Sequence, residues 1–329
     1  MMILTQGDIR KALPMDEVVE AMKQAYAALS AGQAEVPLRS RLPIFPHEGV
    51  TLIMPAFLRS NGQEALTIKV VSVYPHNVKR NIPIIHAAVL VLEADSGRPI
   101  ALLEGGALTA IRTGAGAGAA TDLLARPESH VAAIFGAGVQ GRTQLEAICT
   151  IRPIQTVWVY DPIPEKVSRF IKEMSGGDII TDDLRAADTP AQAVVEADII
   201  CTATTSSNPV FADEYLKPGV HINGVGSYTP DMQEIPTETV ARALVVVDSR
   251  SASLSEAGDL IQPIRKGIID ESHIHAEIGE LVLGTKRGRT SPEQITFFKS
   301  VGVAVQDALA ANLALKNAQE MGLGQRISW

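Results

Sequence analysis

Cysteine is scarce: Cys149 and Cys201 are the only two in 329 residues. At most one bridge can form, which excludes a small disulfide-stapled scaffold and points to a reducing, cytoplasmic compartment. Positive charge is in deficit as well, with 29 Lys and Arg against 37 Asp and Glu for a net charge of −8. Without a basic cluster the chain lacks the cationic stripe that neutralises phosphates, so no nucleic-acid partner is expected. No run of about 18 apolar residues is present to span a bilayer. The opening MMILT has neither the basic n-region nor the long apolar h-region of a signal peptide, so no membrane partner is expected either. The common hydrolase signatures GxSxG and HExxH are missing. What is present is a 46% apolar composition, well inside the globular range. The length exceeds what one core usually serves and implies two domains or one large one.

The patterning changes along the chain. Val19, Met22, Tyr26 and Leu29 recur at helical spacing after Pro14 and before Gly32, predicting a first amphipathic helix. Between about 50 and 103, apolar runs at 50–54, 66–73, 87–93 and 100–103 are separated by Pro, Gly and Asn without helical patterns between them. That spacing predicts a mostly antiparallel sheet. Residues 107–124 are rich in Ala, Leu and Thr but carry Gly114, Gly116 and Gly118, each worth about 1 kcal/mol against a free helix, so a helix here must be packed closely on a neighbour. Beyond Pro127, apolar stretches at 131–135, 156–160, 198–202, 220–225 and 244–247 are spaced for crossover helices. This is the pattern of a doubly wound parallel sheet. The segment 292–321 reads as one long C-terminal helix or a broken pair.

The most informative stretch follows the run at 131–135: Gly136-Ala-Gly138-Val139-Gln140-Gly141, a helical pattern, a second apolar run, and Asp161 at its end. Gly136 permits the tight turn, Gly138 leaves room for a pyrophosphate, and Gly141 lets helix and strand approach, while the helix N-terminus supplies free N–H groups. An acid 20 residues beyond Gly141 completes the dinucleotide fingerprint. Asp161 can accept from a ribose 2′-hydroxyl and would repel a 2′-phosphate, which favours NAD over NADP, although a basic neighbour such as Lys166 could moderate that preference.

Two cations stand in apolar company. Lys69 lies inside an apolar strand; either it faces an anionic substrate with a partner or shifted pKa, or it snorkels to solvent. Arg112, among small residues beside Thr113, suits either bidentate binding of a carboxylate or a structural ion pair. His273 and His275 lack companions at metal-ligand spacing, so a surface loop is expected there, and no metal is assigned. His86 either lies near a pocket or satisfies a buried hydrogen bond.

Arg41, Met54-Pro55, Lys69 with Pro75 and Asn77, LTAIRTGAGAGAAT at 108–121, GAGVQG at 136–141 and NGVGSYTPDMQE at 223–234 form one co-linear series. Together they resemble the ornithine cyclodeaminase and mu-crystallin family over nearly the whole chain. The resemblance implies an α/β protein: a Rossmann doubly wound parallel sheet (113–303) plus an α+β substrate-binding and dimerisation domain (1–112 with 304–329), working as a homodimer. By position, Arg41, Lys69 and Arg112 would hold a substrate carboxylate, with Val301 beside it. Val139, Gln140, Asp161, Thr202, Val225, Gly226 and Ser300 would touch NAD(H) or NADP(H), with Arg112 and Thr113 near its phosphates.

Ornithine cyclodeaminases carry a glutamate two residues before Met-Pro and an aspartate in GGDxPG; here those positions are Leu52 and Tyr228. A buried distal ammonium would have no partner, which disfavours ornithine. The string 227–234 instead resembles the ketimine-reductase and mu-crystallin branch. The reading is a reductase of cyclic imino acids, taking Δ1-pyrroline-2-carboxylate to L-proline or its six-membered homologue to pipecolate. Alternatives are an alanine dehydrogenase, an ornithine cyclodeaminase, or a ligand-binding protein like mu-crystallin. Asp231 either positions water or substrate or caps the following turn or helix. Tyr228 either donates a proton or packs on the nicotinamide.

Overall fold

The computed structural model describes residues 1–328 except Asn61 and Asn81. The chain divides into two compact units, Met1–Arg112 with Val303–Trp329, and Thr113–Gly302. The first begins with β1 (Met2–Leu4), α1 (Gln6–Ala12) and α2 (Met15–Ser30), followed by β2 (Ala34–Glu35), β3 (Ser40–Ile44), β4 (Gly49–Ser60), β5 (Gln63–Val73), β6 (Ile85–Leu92) and β7 (Pro99–Glu104). Helix α3 (Gly105–Leu124) comes next. The second unit runs β8 (Val131–Phe135), α4 (Val139–Ile151), β9 (Thr156–Tyr160), α5 (Pro164–Met174), β10 (Leu184–Ala186), α6 (Pro190–Val194), β11 (Ile199–Thr202) and β12 (His221–Gly224). It continues through α7 (Thr237–Arg242), β13 (Leu244–Val247), α8 (Arg250–Glu256), α9 (Gly258–Arg265), β14 (Ile274–Glu277), α10 (Ile278–Val282) and β15 (Thr296–Lys299). The last elements, α11 (Ala304–Met321) and β16 (Gln325–Arg326), return to the first unit.

The first sheet has the order β16-β1-β7-β6-β5-β4-β2, with β3 also on β4. The meander β4 to β7 is antiparallel, while β1 joins β7 in parallel. Alternation sets its two faces. The buried side chains are Met54, Ala56 and Leu58 on β4, and Ala65, Thr67, Lys69 and Val71 on β5. Helix α11 packs on β4, β5 and β6 and against α2. Its Ala308, Ala311 and Ala314 are buried, and such short side chains allow close helix approach.

The second sheet is parallel throughout in the order β10-β9-β8-β11-β12-β15-β13-β14. Strand order reverses between β8 and β11, and the carboxyl edge at such a reversal is where open α/β sheets bind ligands. The five strands predicted there are all present.

Residues 292–303 are not helical. Thr296–Lys299 forms β15, a fully buried strand between β12 and β13, and Gly302 takes a left-handed φ of 81° before α11 starts. Four apolar-flanked residues are too short for periodicity to separate strand from helix. The short strands β10 and β14 carry no alternation long enough to read, for the same reason.

Candidate functional site

In the first unit, Met54 pairs with Lys69 across β4 and β5, and Lys69 therefore points to the face that α11 covers. Its side chain is 2% exposed and its Nζ lies 2.6 Å from Asp307 Oδ2, so it does not snorkel to solvent. Arg112, in the middle of α3, donates from Nε to Asp307 Oδ1 at 2.9 Å and from Nη1 to Gln306 Oε1 at 2.9 Å. Gln306 also accepts from the Val303 N–H and donates to the Tyr26 hydroxyl at 2.7 Å. One turn of α11 thus ties α2, α3 and β5 together through buried polar groups.

Burial pulls the Lys69 ammonium down to about 8, against the opposing pull of Asp307; Arg112 and Arg39 push it the same way as burial. Burial would raise Asp307, but the charges of Arg112 and Lys69 outweigh it and hold the carboxyl below its ordinary value. Two cations and one carboxylate leave a single net positive charge in this buried place. Arg41 pairs with Leu52, two positions from the Met54–Lys69 pair, which puts it on the same sheet face, and its side chain is exposed. Besides Arg112, Lys69 feels the charge of Arg39, a residue that sequence reasoning passed over in favour of Arg41.

In the second unit, β8 ends at Phe135 and Gly136 turns the chain with φ of 97°. A side chain at Gly141 would run into the Gly136 carbonyl oxygen, whereas one at Gly138 would enter open space. Helix α4 begins with Gly138 as N-cap and no side-chain cap, leaving its first N–H groups available for an anion. Val139 is 62% exposed over this turn, and Gln140 Oε1 has no partner among the described residues. Asp161 follows β9, its carboxylate accepting from Ala137 N at 3.1 Å and Ile163 N at 3.0 Å. An open cradle at Gly138, an uncapped helix start and a fixed acid at the end of the next strand fit a dinucleotide.

The remaining predicted residues are placed less simply. Thr202 is fully buried and its hydroxyl donates to Glu234. Val225 is half-buried and donates its N–H to Thr202 O, while the Gly226 N–H donates to Glu234. Ser300 donates its hydroxyl to Asp248 Oδ2 at 2.8 Å, and Val301 N donates to the same oxygen at 2.9 Å. Thr113 is half-buried on α3. Tyr228 is 41% exposed and burial raises its hydroxyl pKa. Asp231 lies exposed in the Thr229–Met232 turn, and the next helix starts only at Thr237 behind Pro236, so Asp231 caps no helix.

His86 is exposed on β6, which removes the buried hydrogen bond from its two readings. His273 and His275 lie in a 3-10 turn and in β14, with their Nε2 atoms 2.8 Å from the carbonyls of Val240 and Arg287, not in a surface loop. Sequence reasoning missed Asp307, Gln306 and Glu234. The usable signal for the first two was a Gln-Asp pair inside an alanine-rich helix.

A parallel sheet whose order reverses where a glycine turn feeds an uncapped helix start defines the Rossmann class of dinucleotide-binding fold. The chain belongs to the ornithine cyclodeaminase/mu-crystallin family, whose sequence profile matches residues 1–322. It is 40% identical to a Δ1-pyrroline-2-carboxylate reductase of Bacillus cereus over 100% of both chains. A solved Δ1-pyrroline-2-carboxylate reductase of Thermococcus litoralis, in complex with NADH and L-proline, is 43% identical with a TM-score of 0.94, covering 99% of this chain and 100% of that one. An archaeal alanine dehydrogenase dimer with bound NAD is 30% identical with a TM-score of 0.91, covering 100% and 99%.

Proposed function

We propose that this chain is an NAD(H)-dependent reductase of small cyclic imino acids that converts Δ1-pyrroline-2-carboxylate to L-proline, with the six-membered homologue as a second substrate. The observation that carries this reading is the buried Lys69–Asp307–Arg112 cluster, in a chain 40% identical from end to end to a Δ1-pyrroline-2-carboxylate reductase. Its single net positive charge is neutralised by one substrate carboxylate. A substrate with a further distal ammonium would add charge where Leu52 offers no counter-ion, so ornithine does not suit it.

When bound, the reduced nicotinamide supplies the hydride. The chain supplies orientation and charge. Lys69 and Arg112 hold the carboxylate in a place screened from water, where ion pairing is stronger than in bulk. Asp307 fixes the direction of both cations, and Gln306 helps to fix that of Arg112. With a pKa near 8, Lys69 keeps its proton at Nζ at neutral pH and stays a cation. The substrate enters as its protonated iminium, whose charge makes the ring carbon electrophilic. Hydride addition to that iminium leaves a neutral ring amine, and Tyr228, its pKa raised by burial, is assigned to protonate the amine nitrogen to the ammonium of the product and to regain its proton from solvent. Asp161 favours NAD(H) over its 2′-phosphorylated form.

The working unit is a homodimer. The sheet face opposite Lys69 carries Leu42, Ile53, Phe57, Leu66, Ile68 and Val70; Leu42 is 56% exposed and Ile53 and Val70 are 41% exposed. An apolar sheet face of this breadth marks an interaction surface, and a second copy is the occupant that a dimeric relative suggests.

The test is NADH consumption with three substrate sets. Loss with Δ1-pyrroline-2-carboxylate, with L-proline as product, is expected. Loss with pyruvate and ammonia alone would make the chain an alanine dehydrogenase. Ammonia release from ornithine without net NADH change would make it a cyclodeaminase, and silence in all three would leave ligand binding.

A further inference from the structure

The second unit buries two carboxylates and an ammonium at its carboxyl edge: Glu234, Asp259 and Lys299 are each 0% exposed. Glu234 Oε2 accepts from the Thr202 hydroxyl at 3.0 Å, from Gly226 N at 2.7 Å and from Ser227 N at 3.2 Å, while Oε1 accepts from Thr204 N at 2.6 Å. Asp259 Oδ1 accepts from the N–H groups of Glu234 and Ile235 at 2.6 and 3.0 Å, and its Oδ2 lies 3.1 Å from Lys299 Nζ at the end of β15. The chain of contacts therefore runs from the ends of β11 and β12 through Glu234 and Asp259 to the end of β15.

Apolar packing would fill such a place at lower free energy than buried ions. What apolar packing cannot do is satisfy backbone N–H groups in segments that have left the sheet. Residues 203–204 and 225–227 follow β11 and β12 without regular structure, and a single carboxylate takes three backbone donors from them and the hydroxyl of Thr202 at the end of β11. These segments stand at the edge where parallel sheets receive ligands. The carboxylate sets their conformation in place of a ladder.

We propose that Glu234 is a positioning residue for the dinucleotide: it touches no cofactor atom itself, and it fixes the Thr202–Thr204 and Val225–Ser227 backbone into the shape that the cofactor meets. Asp259 and Lys299 fix Glu234 in turn. The inference rests on the reading that this unit binds NAD(H).

The test measures NADH affinity by fluorescence titration of the full-length protein, together with the KM for each substrate and thermal stability. Glu234→Gln presents an N–H group toward one set of donors and should raise the NADH Kd by about tenfold or more. The imino-acid KM should stay within about twofold, a split that a general loss of stability does not produce. Glu234→Asp, which keeps the charge and draws the carboxylate back from its four donors, should raise the same Kd about threefold, and it decides the matter if Glu234→Gln does not fold. An unchanged NADH Kd in folded Glu234→Gln, or in Glu234→Asp where the glutamine variant fails to fold, overturns the proposal. Failure of the wild-type protein to bind NADH overturns the reading beneath it, a result distinct from a wild-type-like Kd in the variants.

Discussion

Asp307 decides how two cations share one buried place. Removing one member of a buried ion cluster leaves an uncompensated charge, at a cost of about 3–5 kcal/mol. Asp307→Asn should therefore lose about that much stability in urea unfolding and should lose activity as Lys69 and Arg112 repel each other. Lys69 gives a pH signature with two opposite signs. Its folded value near 8 lies below the ordinary 10.5, so between those values the unfolded chain binds more protons and this group's contribution to stability rises with pH. Over the same range the ammonium is lost, and kcat/KM for the imino acid should fall about tenfold per pH unit above 8. A Lys69→Arg variant that keeps the same break near pH 8 would show that another group is responsible. At this scale Lys69 and Arg112 were legible because a cation in an apolar run needs a partner. Asp307 was not, since it lies 195 residues from Arg112 in sequence and nothing local ties the two. Of the readings open for Asp231, the helix cap is excluded because the following helix starts behind proline.

Among the elements, the β8–α4 turn separates binding from stability. Gly138→Ala adds a methyl in open space and Gly141→Ala adds one against the Gly136 carbonyl. The first should leave the Tm of the free protein within about 2 °C, a shift appropriate to a substitution without a steric clash, while weakening NADH binding strongly. The second should lower Tm by several degrees, as overpacking costs about 1–3 kcal/mol. Calorimetry with and without NADH checks both, and equal behaviour of the two variants would sink the assignment. Strands β8, β9, β11, β12 and β13 of the second sheet were readable because each buried run is bounded by turn residues and followed by a helix-length segment. Strand β15 was not, because Thr296–Lys299 is short, fully buried and directly precedes a helix.

For the molecule as a whole, the apolar outer face of the first sheet predicts association. Placing lysines at Ile53 and Val70, which pair across β4 and β5, puts like charges on that face of each copy. Sedimentation should show a dimer for the wild type and a monomer for the double variant; a wild-type monomer would remove any role for this face. The surface was not singled out in the sequence, since alternation there reads as ordinary strand until the covered face is known.

In the proposed function, Lys69 and Arg112 grip a carboxylate and so select the substrate. The most direct measurement compares kcat/KM for Δ1-pyrroline-2-carboxylate with that for Δ1-pyrroline, the same ring without the carboxylate, at saturating NADH. Two charge-assisted contacts predict a loss of about 10²- to 10⁴-fold for the bare ring. Equal efficiency on the two imines would contradict it.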